Sequence, residues 1–192
     1  MHFDRVLTGT LRRHRETLES IGSAGVSLAA VHADPRLNEY DPERLVAAHL
    51  AATEDARKEL AGAVADSQES RREHFRLLRD ALTAWTLGNV DPSTHRTFRA
   101  FQEEAYQAFL LACRQDQRPV TRALVVTSGG PISSILAHHL GMPASSFVAL
   151  NLQVRNSGFC EIRFNAKGAQ LVSFNNVPHL DTPERRAHIT FS

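Results

Sequence analysis

Apolar and polar positions fall into three regimes along the chain. Up to Asp41, short apolar runs alternate with turns. Arg5-Val6-Leu7-Thr8 predicts a brief strand that Gly9 turns, and Leu11, His14 or Arg15, Leu18 and Ile21 then recur at helical spacing until Gly22. Val26 to Val31 is a second apolar run, and Asp34 to Asp41 reads as a loop in which Pro35 keeps its predecessor out of helix. The second regime opens at Asp41-Pro42-Glu43, a capping carboxylate followed by proline in the first turn, and predicts alanine-rich helix to about Gln117. Breaks are expected near Asp66-Ser67 and at Gly88-Asn89-Val90-Asp91-Pro92. Leu77, Leu78, Leu82 and Trp85 suit one buried stripe, and Phe98, Phe101, Ala105, Phe109 and Ala112 suit another. Ser70-Arg71-Arg72-Glu73 suits a solvated face.

The third regime begins at Leu124-Val125-Val126-Thr127-Ser128-Gly129-Gly130-Pro131-Ile132. A β-branched run stops at a small polar residue and two glycines, and a helix follows with Ile132, Ile135, Leu136 and Leu140 on one face. Period two then takes over. Val148, Leu150, Leu152 and Val154 predict a strand, Asn156-Ser157-Gly158 a turn, Cys160, Ile162 and Phe164 a returning strand, Ala166-Lys167-Gly168 a turn, and Leu171 to Phe174 a last strand. Strand–helix units ending in a meander predict an α/β domain over residues 1–192: a three-layer sandwich, its mixed, mainly parallel sheet flanked by helices, with a helical insert at about 42–117.

Composition narrows the function without naming it. The chain has 192 residues, 42% of them apolar and 22% charged, as in ordinary globular proteins. A net charge of +1 supplies no field for nucleic acid or an anionic membrane surface. The ten histidines are scattered and pair with no cysteines at zinc spacing, so no metal is expected. Cys113 and Cys160 read as free thiols of a reducing compartment. No run is long and apolar enough for a membrane span, and Met1 to Arg5 lack a signal-peptide core, so a cytoplasmic location is expected.

Three loops carry residues suited to an anion. Thr8 to Thr17 brings arginines to a helix start, where a planar guanidinium can clamp phosphoryl oxygens. Leu37-Asn38-Glu39-Tyr40-Asp41 brings a carboxylate able to protonate a leaving oxygen. Thr127-Ser128-Gly129-Gly130 brings free backbone N–H groups at a helix N-terminus. In this order they resemble the histidine phosphatase superfamily, in its phosphoglycerate-mutase-like branch. The segment Phe3 to Thr17 resembles the family's Ser-x-Leu-x-Arg-x-x-x-Thr motif, Leu37 to Asp41 its acid loop, and Val125 to Gly130 its strand-His-Gly-Gly block. Asn156 and Asn175 to Leu180 fit the closing strands. The resemblance spans nearly the whole chain. It implies hydrolysis of a phosphorylated small molecule through a phosphohistidine, with no cofactor. It also implies Arg13, Ser128 and the Gly129 amide as phosphate ligands, with Arg13 and Glu39 in catalytic roles.

Two departures shape the expectations. The family's Arg-His-Gly triplet, whose histidine takes the phosphoryl group, is absent and would lie upstream of Met1, so a truncated or mis-started chain with negligible turnover is expected. The block's histidine is Ser128 here, a neutral donor that brings no positive charge. Arg13-His14-Arg15 does not replace the triplet, because helical spacing runs through it, and His14 is expected to face solvent or a pocket rim. The family's missing strand is expected between Arg5–Thr8 and Leu124–Thr127. Those strands would then pair directly, leave a gap or recruit another chain, with self-association or marginal stability as a consequence. The alternatives are a non-catalytic relative that binds phosphate esters or a protein, and a serine hydrolase using Ser128 with His138, His139 or His179 as base.

Overall fold

The structure, a computed structural model, describes residues 1–52, 68–115 and 120–191, without side chains for 68–71. The expected break near Asp66-Ser67 and the helix end near Gln117 lie outside these residues. The strands are β1 (His2–Phe3), β2 (Arg5–Thr8), β3 (Ser27–Leu28), β4 (Val31–Ala33), β5 (Ala123–Val126), β6 (Phe159–Asn165) and β7 (Gly168–Asn176). The helices are α1 (Arg12–Ser23), α2 (Pro42–Ala52), α3 (Gln68–Thr86), α4 (Phe98–Cys113), α5 (Gly129–His139) and α6 (Ser145–Asn151), with a short 3-10 turn at Pro35–Leu37.

The central sheet is parallel, in the order β4-β2-β5, with Val6 and Leu7 on β2 buried. β2 pairs directly with β5, from Arg5 opposite Ala123 to Thr8 opposite Val126. Of the three outcomes expected for these strands, direct pairing is the one observed. β1 and β3 form a separate parallel pair, and β6 and β7 a separate antiparallel hairpin. Among the described residues β5 therefore has β2 as its one strand neighbour.

Helix packing follows the apolar stripes. Leu77, Leu82 and Trp85 on α3 are buried, as are Phe98, Phe101, Ala105, Phe109 and Ala112 on α4. Trp85 stands at the centre of an aromatic group with ring centroids 5.5 Å from Tyr40, 5.3 Å from Phe98, 5.2 Å from Phe101 and 6.1 Å from Phe147. Such tilted and edge-on pairs add to plain area burial. On α3, Arg72 is exposed and Glu73 half-buried.

Two expectations fail, the first because a short apolar run does not fix its own period and the second because the helix from Gly129 ends at His139, leaving Leu140 as its C-cap. The alternation from Val148 is helix, not strand: α6 buries Phe147, Val148 and Asn151, a one-turn spacing, after Pro143 has opened the turn. Leu140 is 48% exposed and does not share a buried face with Ile135 and Leu136. Instead α5 is buried nearly all round, with Ser133 and Ser134 fully covered.

Candidate functional site

Three loops meet at the carboxyl ends of β2 and β5, and hydrogen bonds fix their relative positions. Asp34, 3% exposed, receives both Nε and Nη2 of Arg36 and caps the 3-10 turn through Arg36 N–H. That turn presents Leu37, whose carbonyl accepts the Thr127 hydroxyl at 2.6 Å. Asn38 accepts from Thr10 N–H at 2.6 Å and donates to the Thr10 hydroxyl at 2.7 Å. Tyr40 then plugs into the aromatic core, and its hydroxyl accepts from Asn151 at 2.8 Å. The acid loop is thus held at both ends by buried groups.

Arg13 and Ser128 come together across the sheet. Arg13 donates to the Ser128 hydroxyl oxygen through Nε at 3.1 Å and Nη2 at 2.9 Å. Ser128 is the N-cap residue of α5, yet its side chain caps nothing, because its oxygen is turned to Arg13 instead of the helix. Glu39 reaches the same turn from the other side, its Oε2 accepting the Gly130 N–H at 3.1 Å. A methyl group on residue 130 would collide with Glu39 Oε1, so only glycine lets the carboxyl approach. All four residues expected at a phosphate site are therefore brought to one place: Arg13 and Ser128 in contact, Glu39 on Gly130, and Gly129 between them in sequence.

Burial sets the electrostatics. The half-buried Glu39 has its carboxyl pushed up to about 7 by burial, against the opposing pull of Gly130 N–H, the Arg13 cation, Tyr40 N–H and Arg96. An acid with that value is present in both protonation states near neutrality.

His14 is not where the sequence suggested. It is 2% exposed, not solvent-facing or on a rim, and its Nε2 lies 2.6 Å from the Ser128 hydroxyl. Burial, with the adjacent Arg13 cation, pushes its pKa down to about 4. Sequence spacing missed it because Arg13 and His14 are neighbours on α1 and one turn of helix cannot say that both reach the same hydroxyl. One sign was available: Gly9 must be glycine, since a Cβ there would collide with His14 Nδ1. The three bases considered for a serine hydrolase are engaged elsewhere. His138 packs on Tyr106 with centroids 4.3 Å apart, His139 Nε2 bonds the Ala169 carbonyl at 2.9 Å, and His179 bonds Ser157 at 2.9 Å.

Two open clefts are lined by none of Arg13, His14, Glu39, Ser128 and Gly129: one of about 540 Å³ between α4 and the β6–β7 turn, another of about 710 Å³ beside the end of β7. Among the described residues no group of histidine, cysteine and carboxylate side chains could hold a metal ion, and no helix is long and apolar enough to cross a membrane. Cys113 and Cys160 are free thiols.

The model of the histidine phosphatase superfamily (branch 1) matches residues 1–177. Similar solved structures include phosphoserine phosphatase from Entamoeba histolytica in complex with 3-phosphoglyceric acid, with TM-score 0.58 and 19% identity over 93% of this chain and 76% of that one. An Escherichia coli protein provisionally described as an alpha-ribazole-5′-P phosphatase has TM-score 0.57 and 22% identity over 92% of this chain and 74% of that one. Mycobacterial glucosyl-3-phosphoglycerate phosphatase has TM-score 0.54 and 18% identity over 90% and 77% respectively. At such identities the likeness is one of fold. Among curated proteins none matches this sequence.

Proposed function

The chain belongs to the histidine phosphatase superfamily, branch 1, and on that premise we propose that its loop cluster binds the phosphoryl group of a phosphorylated small molecule. Arg13, Ser128 and the Gly129 amide hold the oxygens, and Glu39 is the acid that protonates the leaving oxygen. One observation carries this reading: the Arg13 fork meets Ser128 while Glu39 sits on the next backbone N–H of the same turn. A guanidinium and a helix N-terminus favour a dianion, and a carboxyl poised near 7 suits proton donation.

The 192 residues contain no Arg-His-Gly triplet. We extend the proposal accordingly: these 192 residues bind phosphate esters and turn them over negligibly, because the residue that would take the phosphoryl group is not among them. The helices between Pro42 and Cys113 are proposed to roof the site and select the substrate. The location is proposed to be cytoplasmic, and the edge of β5 that has no strand neighbour among the described residues a route to self-association, which a monomer by light scattering would refute.

The test uses 4-nitrophenyl phosphate for turnover and inorganic phosphate for thermal stabilisation. Phosphate at about 100 times its Kd should stabilise the fold by about 2.7 kcal/mol, with no hydrolysis above the blank. Robust turnover would remove the missing-nucleophile part, and absence of stabilisation would remove the binding site. The second reading, a non-catalytic relative, is favoured by Ser128 standing where the family block has histidine. It predicts stabilisation without turnover even in a variant to which an Arg-His-Gly segment has been added.

A further inference from the structure

The Ser128 hydroxyl is the hub of a buried network whose proton positions can be counted. Arg13 Nε and Nη2 are donors only, and both lie on the Ser128 oxygen. They take its two lone pairs. The one hydrogen of the hydroxyl then goes to the remaining neighbour, His14 Nε2, at 2.6 Å. His14 is therefore an acceptor at Nε2, and a neutral ring must carry its proton at Nδ1, which is buried against the Gly9 backbone and makes no well-formed hydrogen bond among the described residues. An imidazole 2% exposed, with one nitrogen held only by a poorly aligned contact to the Gly9 backbone and the other on a serine at the turn proposed to bind the anion, is costly as structure alone.

Resting on the phosphate-site reading, we propose that His14 is the proton partner of that site: when a tetrahedral dianion docks, Ser128 turns its O–H to the anion and His14 takes a proton from water at Nε2, donating it to the vacated Ser128 oxygen. His14 acts through Ser128 and is a positioning residue. Proton balance is simple, with one proton entering from solvent and no bond to phosphorus formed or broken. The exchange leaves the hydroxyl oxygen with a donor in place of the Arg13 N–H groups that swing to the anion, and it gives the site a positive charge that Ser128 itself cannot carry.

The charges facing the ring set the direction of the pH effect. Burial first, and then Arg13 on the same helix, hold the ring neutral, against the pull of the Gly9 backbone toward the charged form. The turn contributes the neutral Ser128, the β2–α1 junction the neutral Gly9, and the acid loop the neutral Asn38 together with Glu39, whose carboxyl is coupled to Arg13. A docked dianion reverses the sign of the field by neutralising Arg13. The free ring is neutral down to about 4, so binding takes up a proton between that value and the higher one of the complex. Affinity then rises as pH falls through this window.

The experiment uses sulfate, which stays a dianion across the range, and a Glu39→Gln background, so that neither ligand nor carboxyl titrates. Nitrogen NMR of histidine-labelled full chain should show His14 neutral with Nδ1–H when free and doubly protonated when sulfate is saturating at pH 6. Sulfate affinity should tighten by up to about tenfold per pH unit within the window. His14→Gln in the same background keeps an amide on Ser128 without titrating and should bind with a flat pH profile. A ring that stays neutral with sulfate bound, or a pH dependence that survives His14→Gln, overturns the proposal and leaves the phosphate site standing. Failure of sulfate to bind, or binding indifferent to Arg13→Ala, overturns the phosphate site and this proposal with it.

Discussion

Replacing Glu39 by glutamine should stabilise the protein at alkaline pH and leave it unchanged in acid. The glutamine carbonyl can still accept the Gly130 N–H, so the loop contact survives while the charge is lost. In the folded chain the carboxyl is raised from its ordinary 4.5 to about 7, first by burial. The sign follows from proton counting. Between pH 4.5 and 7 the folded state holds this proton more tightly than the unfolded state, so stability falls as pH rises through that window. Below it the group is neutral in both states and contributes nothing. Above it the whole penalty is present. At about 1.36 kcal/mol per tenfold change in proton affinity, the penalty is about 3 kcal/mol. Urea unfolding of wild type and Glu39→Gln at pH 4, 6 and 8 should give a stability difference near zero, then intermediate, then about 3 kcal/mol in favour of the variant. In thermal melts at pH 8 that is roughly 6–12 °C for a chain of this size. His14, with its pKa pushed down to about 4, gives wild type the opposite slope, so only the difference between variants isolates Glu39. A difference constant across pH, or largest in acid, would refute the argument that desolvation and not hydrogen bonding dominates at Glu39.

Other substitutions probe the site and its frame. Arg13→Lys keeps a charge but loses the two-pronged contact with Ser128, and phosphate or sulfate affinity by calorimetry should fall roughly 10- to 100-fold, since each hydrogen bond to a charged group is worth about 1.5–3 kcal/mol. Gly130→Ala forces a methyl into Glu39 Oε1 and within 2.8–2.9 Å of the Tyr40 ring, so urea unfolding should show a loss of about 1–3 kcal/mol. Trp85→Ala empties the centre of the aromatic group and removes the indole bond to the Arg96 carbonyl at 2.6 Å, and circular dichroism melts should report a loss of about 3–5 kcal/mol.

Much of the frame could be read from residue order, because local chemistry decides it. Asp41-Pro42 starts α2 with Arg44 N–H on the Asp41 carboxylate, the α4 stripe from Phe98 to Ala112 is buried as its spacing requires, and Ser128-Gly129 ends β5 and opens α5. Arg13, Glu39, Ser128 and Gly129 were likewise legible as candidates, since an anion site draws on few residue types. Tertiary structure decided the rest. The run from Val148 became helix because Phe147 and Asn151 both face the Tyr40 core, a contact over a hundred residues away in sequence. The choice of β2 as the neighbour of β5 is a matter of pairing between distant segments, on which alternation within each is silent. His14 shows the difference most plainly. Its helical position is written in the spacing of α1, but its burial, its depressed pKa and its bond to Ser128 exist only because β5 and β2 lie side by side and carry the two turns together. A side chain's acidity depends on the solvent it loses and the charges it meets, and both are set by residues that the fold, not the chain, makes neighbours.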